Sequence, residues 1–248
     1  MSLDVSRIKA ICFDVDGTLS DTDDQWVERF ETLFTPFRKL LIGHDPRHTA
    51  RMVVMGVETP GNLMYYILDM LRLDGHFANL YSFLAQRLKL VQRKEFLIVK
   101  GTLEVLQSLL PHYPMAVVSA RDAKSTQAFL DQFELNPFFS TVATSQTCTY
   151  TKPFPDPILK VAQDMGVLPE ECLMIGDTTV DIRAGRSAGA QTVGVLCGFG
   201  SEDELRRAGA DLILPTPLDV LEFLAVSGIP IPNLRSTLTQ EKSLSEAG

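Results

Sequence analysis

The chain has 248 residues, 45% of them hydrophobic, which is enough to bury a sizeable core as one large domain or two small ones. Its formal net charge of -8 disfavours a nucleic-acid partner, because phosphate backbones are gripped mainly by clustered Lys and Arg. No apolar run reaches the roughly 18 residues of a membrane span, and Met1-Ser2-Leu3-Asp4 lacks the basic and apolar regions of a secretion signal, so a cytoplasmic protein away from membranes is expected.

The first element is a strand at residues 8–13 (IKAICF), a short apolar run without helical period. It empties into Asp14-Val15-Asp16-Gly17-Thr18. Residues 20–97 then read as helix throughout, with apolar spacing in Trp26-Val27-Phe30-Leu33-Phe34-Phe37 and again in Leu80-Phe83-Leu84-Leu88-Val91. Turn signals at Gly43-His44-Asp45-Pro46, Gly56–Gly61 and Asp74-Gly75 divide the stretch into about four helices. An insert of this size suggests a cap over the site. Arg47, Arg51, Glu58 and Asn62 flank its turns and are candidates to meet a substrate, although such residues are more often solvated.

From residue 98 onward two textures alternate. Strand-like runs at 114–118, 140–144, 172–176, 191–195 and 211–214 are interleaved with helical patterns at about 102–111, 122–134, 155–166, 179–188, 202–208 and 217–226. Strand, helix, strand repeated this way implies a parallel sheet with helices on both faces. The tail from Ser227 contains Pro230 and Pro232, turns polar, and reads as a marginally ordered end. The expected organisation is an α/β core at 1–19 and 98–226, a helical cap domain at 20–97 and a C-terminal tail at 227–248.

Cys12, Cys148, Cys172 and Cys197 form no CxxC, and reduced thiols are expected. His44 and His48 have the spacing of a zinc pair on a helix, but Pro46 between them argues against that helix.

Two pairs of aspartates stand out. Asp14 and Asp16 follow the first strand, and Asp177 and Asp181 follow Cys172-Leu173-Met174-Ile175-Gly176. In an open α/β sheet, residues just past the carboxyl ends of the strands gather in one crevice. Four carboxylates there repel one another, a divalent cation relieves this, and an all-oxygen set suits Mg²⁺.

Four motifs in order make the chain resemble the haloacid dehalogenase-like hydrolase superfamily: Asp14-x-Asp16-Gly17-Thr18, Val117-Val118-Ser119-Ala120-Arg121, Lys152-Pro153 and Gly176-Asp177-x-x-x-Asp181. The helical insert between the first two is similar to the cap of the phosphoglycolate phosphatase-like subgroup. The resemblance implies a Rossmann-like doubly wound fold and a phosphatase acting on a small phosphate ester through an aspartyl-phosphate. It implies Asp14 as nucleophile and Asp16 as acid and base. Ser119 and the Ala120 N–H would bind phosphate, and Lys152 would balance charge. Mg²⁺ would be held by Asp14, the Asp16 carbonyl and Asp177, with Asp181 either a ligand or a helix-capping residue. Taken singly, Ser119 is a helix N-cap and Lys152 a surface lysine. A sugar-phosphate mutase, or a binding protein that keeps the fold without activity, are the alternatives. Either a monomer or a homodimer is compatible with these features.

Overall fold

The computed structural model describes residues 3–21, 30–40, 46, 49–50, 53 and 96–226. Most of the expected cap helices and their turns lie outside these residues, as do Arg47, Arg51, Glu58, Asn62, His44, His48 and the tail from Ser227.

The core is a six-stranded sheet built from β1 (Ala10–Phe13), β4 (Met115–Val118), β5 (Thr141–Ala143), β6 (Cys172–Gly176), β7 (Gln191–Val195) and β8 (Leu212–Leu214). The order is β5-β4-β1-β6-β7-β8 and every pairing is parallel. All six strands fall where the apolar runs place them. Such runs suit a parallel sheet, whose strands are covered on both faces.

Alternation along each strand sorts the side chains into two layers. Ile11, Phe13, Met115, Val117, Leu173 and Ile175 face one way. They pack with Val105, Leu106 and Leu109 of α1 (Thr102–Leu109), Phe129 and Leu130 of α2 (Ala123–Gln132), and Leu221 and Leu224 of α6 (Val220–Val226). Ala10, Cys12, Ala116, Cys172 and Met174 face the other way, against Ile158, Val161 and Ala162 of α3 (Asp156–Met165) and Ala184 of α4 (Thr179–Ala188). Helix α5 (Glu202–Ala208) connects β7 and β8.

Two helix ends differ from the periodic pattern. The helix expected to 134 stops at Gln132, because Glu134 takes a left-handed φ of 55° and the Leu135 N–H turns back to the Leu130 carbonyl at 2.8 Å. The helix expected from 217 opens as a tight turn, Pro217–Asp219, before α6.

A third difference matters more. Residues 20 and 21, expected to begin a helix, form β2 (Ser20–Asp21), paired antiparallel with β3 (Leu97–Ile98). The chain therefore leaves and re-enters the core side by side. A two-residue strand carries no periodic signal, so this ladder is invisible in the sequence. Among the described residues no helix is long and apolar enough to cross a membrane.

Candidate active site

The strand order reverses around β1: the chain goes from β1 out to β4 and β5, then returns to β6 on the other side. A crevice opens at the carboxyl ends of strands at such a reversal. The Asp14 N–H still donates to the Ile175 carbonyl at 2.9 Å, so Asp14 starts from the rigid edge of the sheet. The chain then turns tightly. The N–H groups of Leu19 and Ser20 converge on the Val15 carbonyl at 3.0 and 2.7 Å. Gly17 takes a left-handed φ of 78°, and a Cβ there would lie 2.2 Å from Asp177 Oδ2. Both conditions demand glycine.

Asp14, Asp16, Ser119, Lys152, Asp177 and Asp181 are all buried. Lys152 is no surface lysine. Its Nζ donates to Asp14 Oδ1 at 2.5 Å and to Asp181 Oδ1 at 2.6 Å. Ser119 is not the cap of α2, since Asp122 is: the Asp122 carboxylate accepts the Ser125 N–H at 3.0 Å. The Ser119 hydroxyl oxygen instead accepts the Arg121 backbone N–H at 3.1 Å, and its own hydrogen has no acceptor among the described residues.

Asp181 has both oxygens in use. Oδ2 accepts from the Thr178 N–H at 3.0 Å and the Thr178 hydroxyl at 2.6 Å, closing a capping box at the start of α4, while Oδ1 holds Lys152. Asp177 differs. Its Oδ2 accepts the Phe199 N–H at 2.7 Å, but Oδ1 is buried without a hydrogen-bond partner among the described residues. Asp14 Oδ2 is likewise unpartnered. One oxygen each from Asp14, Asp177 and Asp181 lie within 4.8 Å of one another.

Three carboxylates against one ammonium leave the cluster short of positive charge. Burial pushes the Asp14 carboxyl up to about 7, with Lys152 opposing and Asp181 and Asp16 adding. Asp177 is also held well above the usual carboxylate range, first by burial, then by Asp181 and Asp14. Burial works to lower the Lys152 ammonium, yet Asp14 and Asp181 outweigh it and hold it above its ordinary value. A hard divalent cation fits this donor set: buried oxygens, two of them orphaned, in a place that disfavours bare negative charge.

Asp16 points elsewhere. Arg121 Nε lies 2.8 Å from Asp16 Oδ1 and 2.9 Å from Oδ2, and Arg121 Nη2 also bonds Oδ1. The Asp16 side chain is therefore outside the carboxylate trio. Arg121 stood inside the second motif with no role assigned from sequence; a pairing across 105 positions leaves no local trace.

The loop after β7 carries no motif that the sequence reading singles out. It wraps Asp177: a Cβ on Gly198 would lie 2.0 Å from Asp177 Oδ2, and the Gly200 N–H donates to the Asp177 carbonyl at 3.1 Å. Cys197 Sγ bonds the Gly17 carbonyl at 3.2 Å, and burial pushes its thiol up to about 12. The available signal was Gly198 and Gly200 directly past a strand at the carboxyl edge.

A family model described as haloacid dehalogenase-like hydrolase matches residues 11–195. The chain is 28% identical over 222 residues to pyrophosphatase PpaX of Anoxybacillus flavithermus, covering 89% of this chain and 99% of that protein. It is 30% identical over 128 residues to phosphoglycolate phosphatase of Escherichia coli, covering 52% of this chain and 50% of that one. A solved hydrolase from Pseudomonas syringae superposes with a TM-score of 0.62 at 25% identity, covering 88% of this chain and 98% of that one.

Proposed function

Because the chain belongs to the haloacid dehalogenase-like hydrolases, we propose that it is a Mg²⁺-dependent phosphatase that cleaves a small phosphate monoester through an aspartyl-phosphate on Asp14. The observation that carries this reading is the buried Lys152 spanning Asp14 and Asp181, beside unpartnered oxygens on Asp14 and Asp177. Asp14 attacks phosphorus, and the bond from phosphorus to the leaving oxygen breaks as Asp16 delivers a proton to it. Water then attacks the phosphoryl group, Asp16 takes its proton, and the Asp14 carboxylate is released. Lys152 fixes Asp14 Oδ1 and offsets phosphate charge, while the Ser119 hydroxyl and Ala120 N–H bind phosphate oxygens.

Asp14, Asp177 and the Asp16 carbonyl would hold Mg²⁺. When bound, the ion supplies the positive charge that lets a phosphate dianion approach the carboxylates. Asp181 serves this centre by orienting Lys152 and capping α4, since both its oxygens are already committed.

The same reading keeps residues 20–97 as a cap domain on a core of 1–19 and 98–226. The β2–β3 ladder supports it, because an insert that enters and leaves at adjacent strands can be added without disturbing the sheet. The cytoplasm is the expected location.

The test is phosphate release with Mg²⁺ from a panel that includes p-nitrophenyl phosphate, phosphoglycolate, hexose phosphates and pyrophosphate. The last is included because of the relatives named for it. Turnover should stop with EDTA and return with Mg²⁺. Full turnover in metal-free buffer would sink the metal assignment, and hexose-phosphate interconversion without phosphate release would favour a mutase.

A further inference from the structure

Arg121 contacts the proposed acid and base Asp16 directly, and the mechanism above does not use it. Its guanidinium meets the Asp16 carboxylate through Nε and Nη2, and the pair is nearly buried, with 10% and 3% of the two side chains exposed. Arg121 is itself anchored on three elements. Nη2 reaches Ser20 Oγ of β2 at 3.3 Å. The guanidinium lies 4.9 Å from the Phe96 ring, beside β3, and 5.7 Å from the Phe129 ring of α2. Its backbone N–H is tied to Ser119. A side chain fixed at so many points has few rotamers left to lose, so it can impose a geometry on its partner.

The geometry points to Arg121 as a positioning residue for the proposed acid and base Asp16. Asp14 follows β1 directly and is anchored to β6, but Asp16 sits two residues further, in the turn, and needs a support of its own. Oδ1 takes two contacts from Arg121, while Oδ2 has only the shared Nε–H among the described residues. Oδ2 is thus the oxygen left to exchange a proton with a leaving group. Without the fork, Asp16 would sample several rotamers and spend less time in line with the scissile bond. A charge pair across a turn can be merely structural. The distinguishing consequence is chemical: loss of positioning hurts most where the leaving group needs its proton.

This inference rests on the phosphatase reading, and the test separates the two. For wild type and R121M, kcat/KM is measured with Mg²⁺ on an alkyl phosphate, whose alkoxide must be protonated, and on p-nitrophenyl phosphate, whose phenolate needs little help. This ratio stops at the first irreversible step, so the later hydrolysis of the phospho-enzyme does not enter it. Methionine retains an apolar stem against Phe96 and Phe129 while deleting the fork. The alkyl-to-aryl ratio should fall by about tenfold or more in R121M, within the range that general acid catalysis provides. R121K, with one ammonium in place of the fork, should fall between, and it carries the test if R121M does not fold. In a D16N background R121M should not lower the ratio further. An unchanged ratio in a folded Arg121 variant, or an equal extra fall in the D16N background, overturns the positioning role. Wild-type protein inert toward both esters overturns the phosphatase reading and this inference with it.

Discussion

Asp177 and Asp181 are four positions apart and both buried, yet their hydrogen-bond surroundings differ. Asp177 keeps one oxygen without a partner, whereas Asp181 spends both on Lys152 and Thr178. Asp177→Asn should therefore weaken Mg²⁺ binding by roughly tenfold or more, as measured by titration calorimetry, with little loss of melting temperature. Asp181→Asn should mainly destabilise, by about 3 kcal/mol in denaturant unfolding, because it removes one of two carboxylates from a buried ammonium and weakens the α4 cap. Equal metal affinities in the two variants would remove the distinction. Asp14→Asn takes the other carboxylate from Lys152 and should also lower stability, but in the protein that remains folded it should abolish turnover, since the isosteric amide is no nucleophile. Wild-type rates in that variant would exclude the covalent route.

At the scale of elements, the sequence carries most where burial writes a period into it. The six strands are legible because each is a buried apolar run, and α4 and α5 because caps and glycines bracket them. What escapes is held by backbone groups or distant pairs. The 196–200 loop acts on Asp177 through the Phe199 N–H, which has no side-chain signature, and Arg121 finds Asp16 across 105 positions. Lys152, Ser119 and the four aspartates were legible only as a set of motifs; alone, each resembles an ordinary turn, cap or surface residue. The loop makes its own prediction. A methyl group on Gly198 would press within 2.0 Å of Asp177 Oδ2, so Gly198→Ala must displace either the loop or the carboxylate. Mg²⁺ affinity should fall by roughly tenfold, while Gly166→Ala, at a left-handed helix end with open space around it, should cost only stability, about 1 kcal/mol. Unaltered metal affinity in Gly198→Ala would show that the loop does not hold Asp177 in place.

For the molecule as a whole, the price of the site is that its carboxylates are packed into the seam where the sheet reverses, and stability should register it through pH. An unfolded Asp titrates near about 3.9, whereas burial holds Asp14 up at about 7 and Asp177 well above its ordinary value. Between about pH 4 and about pH 7 the folded metal-free chain keeps protons that the unfolded chain has lost. The unfolded state binds fewer protons there, so stability falls as pH rises through this window and stays low above it. Lys152 adds nothing in that range, because its raised pKa matters only at the alkaline end. On the proposed metal role, Mg²⁺ should reverse the trend, since it would bind the deprotonated carboxylates and stabilise only the folded state. The melting temperature in EDTA should therefore decline from about pH 5 to about pH 8, and the gain on adding saturating Mg²⁺ should grow across the same interval. Asp177→Asn should flatten both trends, because it removes a repelling carboxylate and a proposed metal ligand together. A Mg²⁺ stabilisation that is constant with pH, or largest at the acid end, would show that the ion does not bind at these buried aspartates.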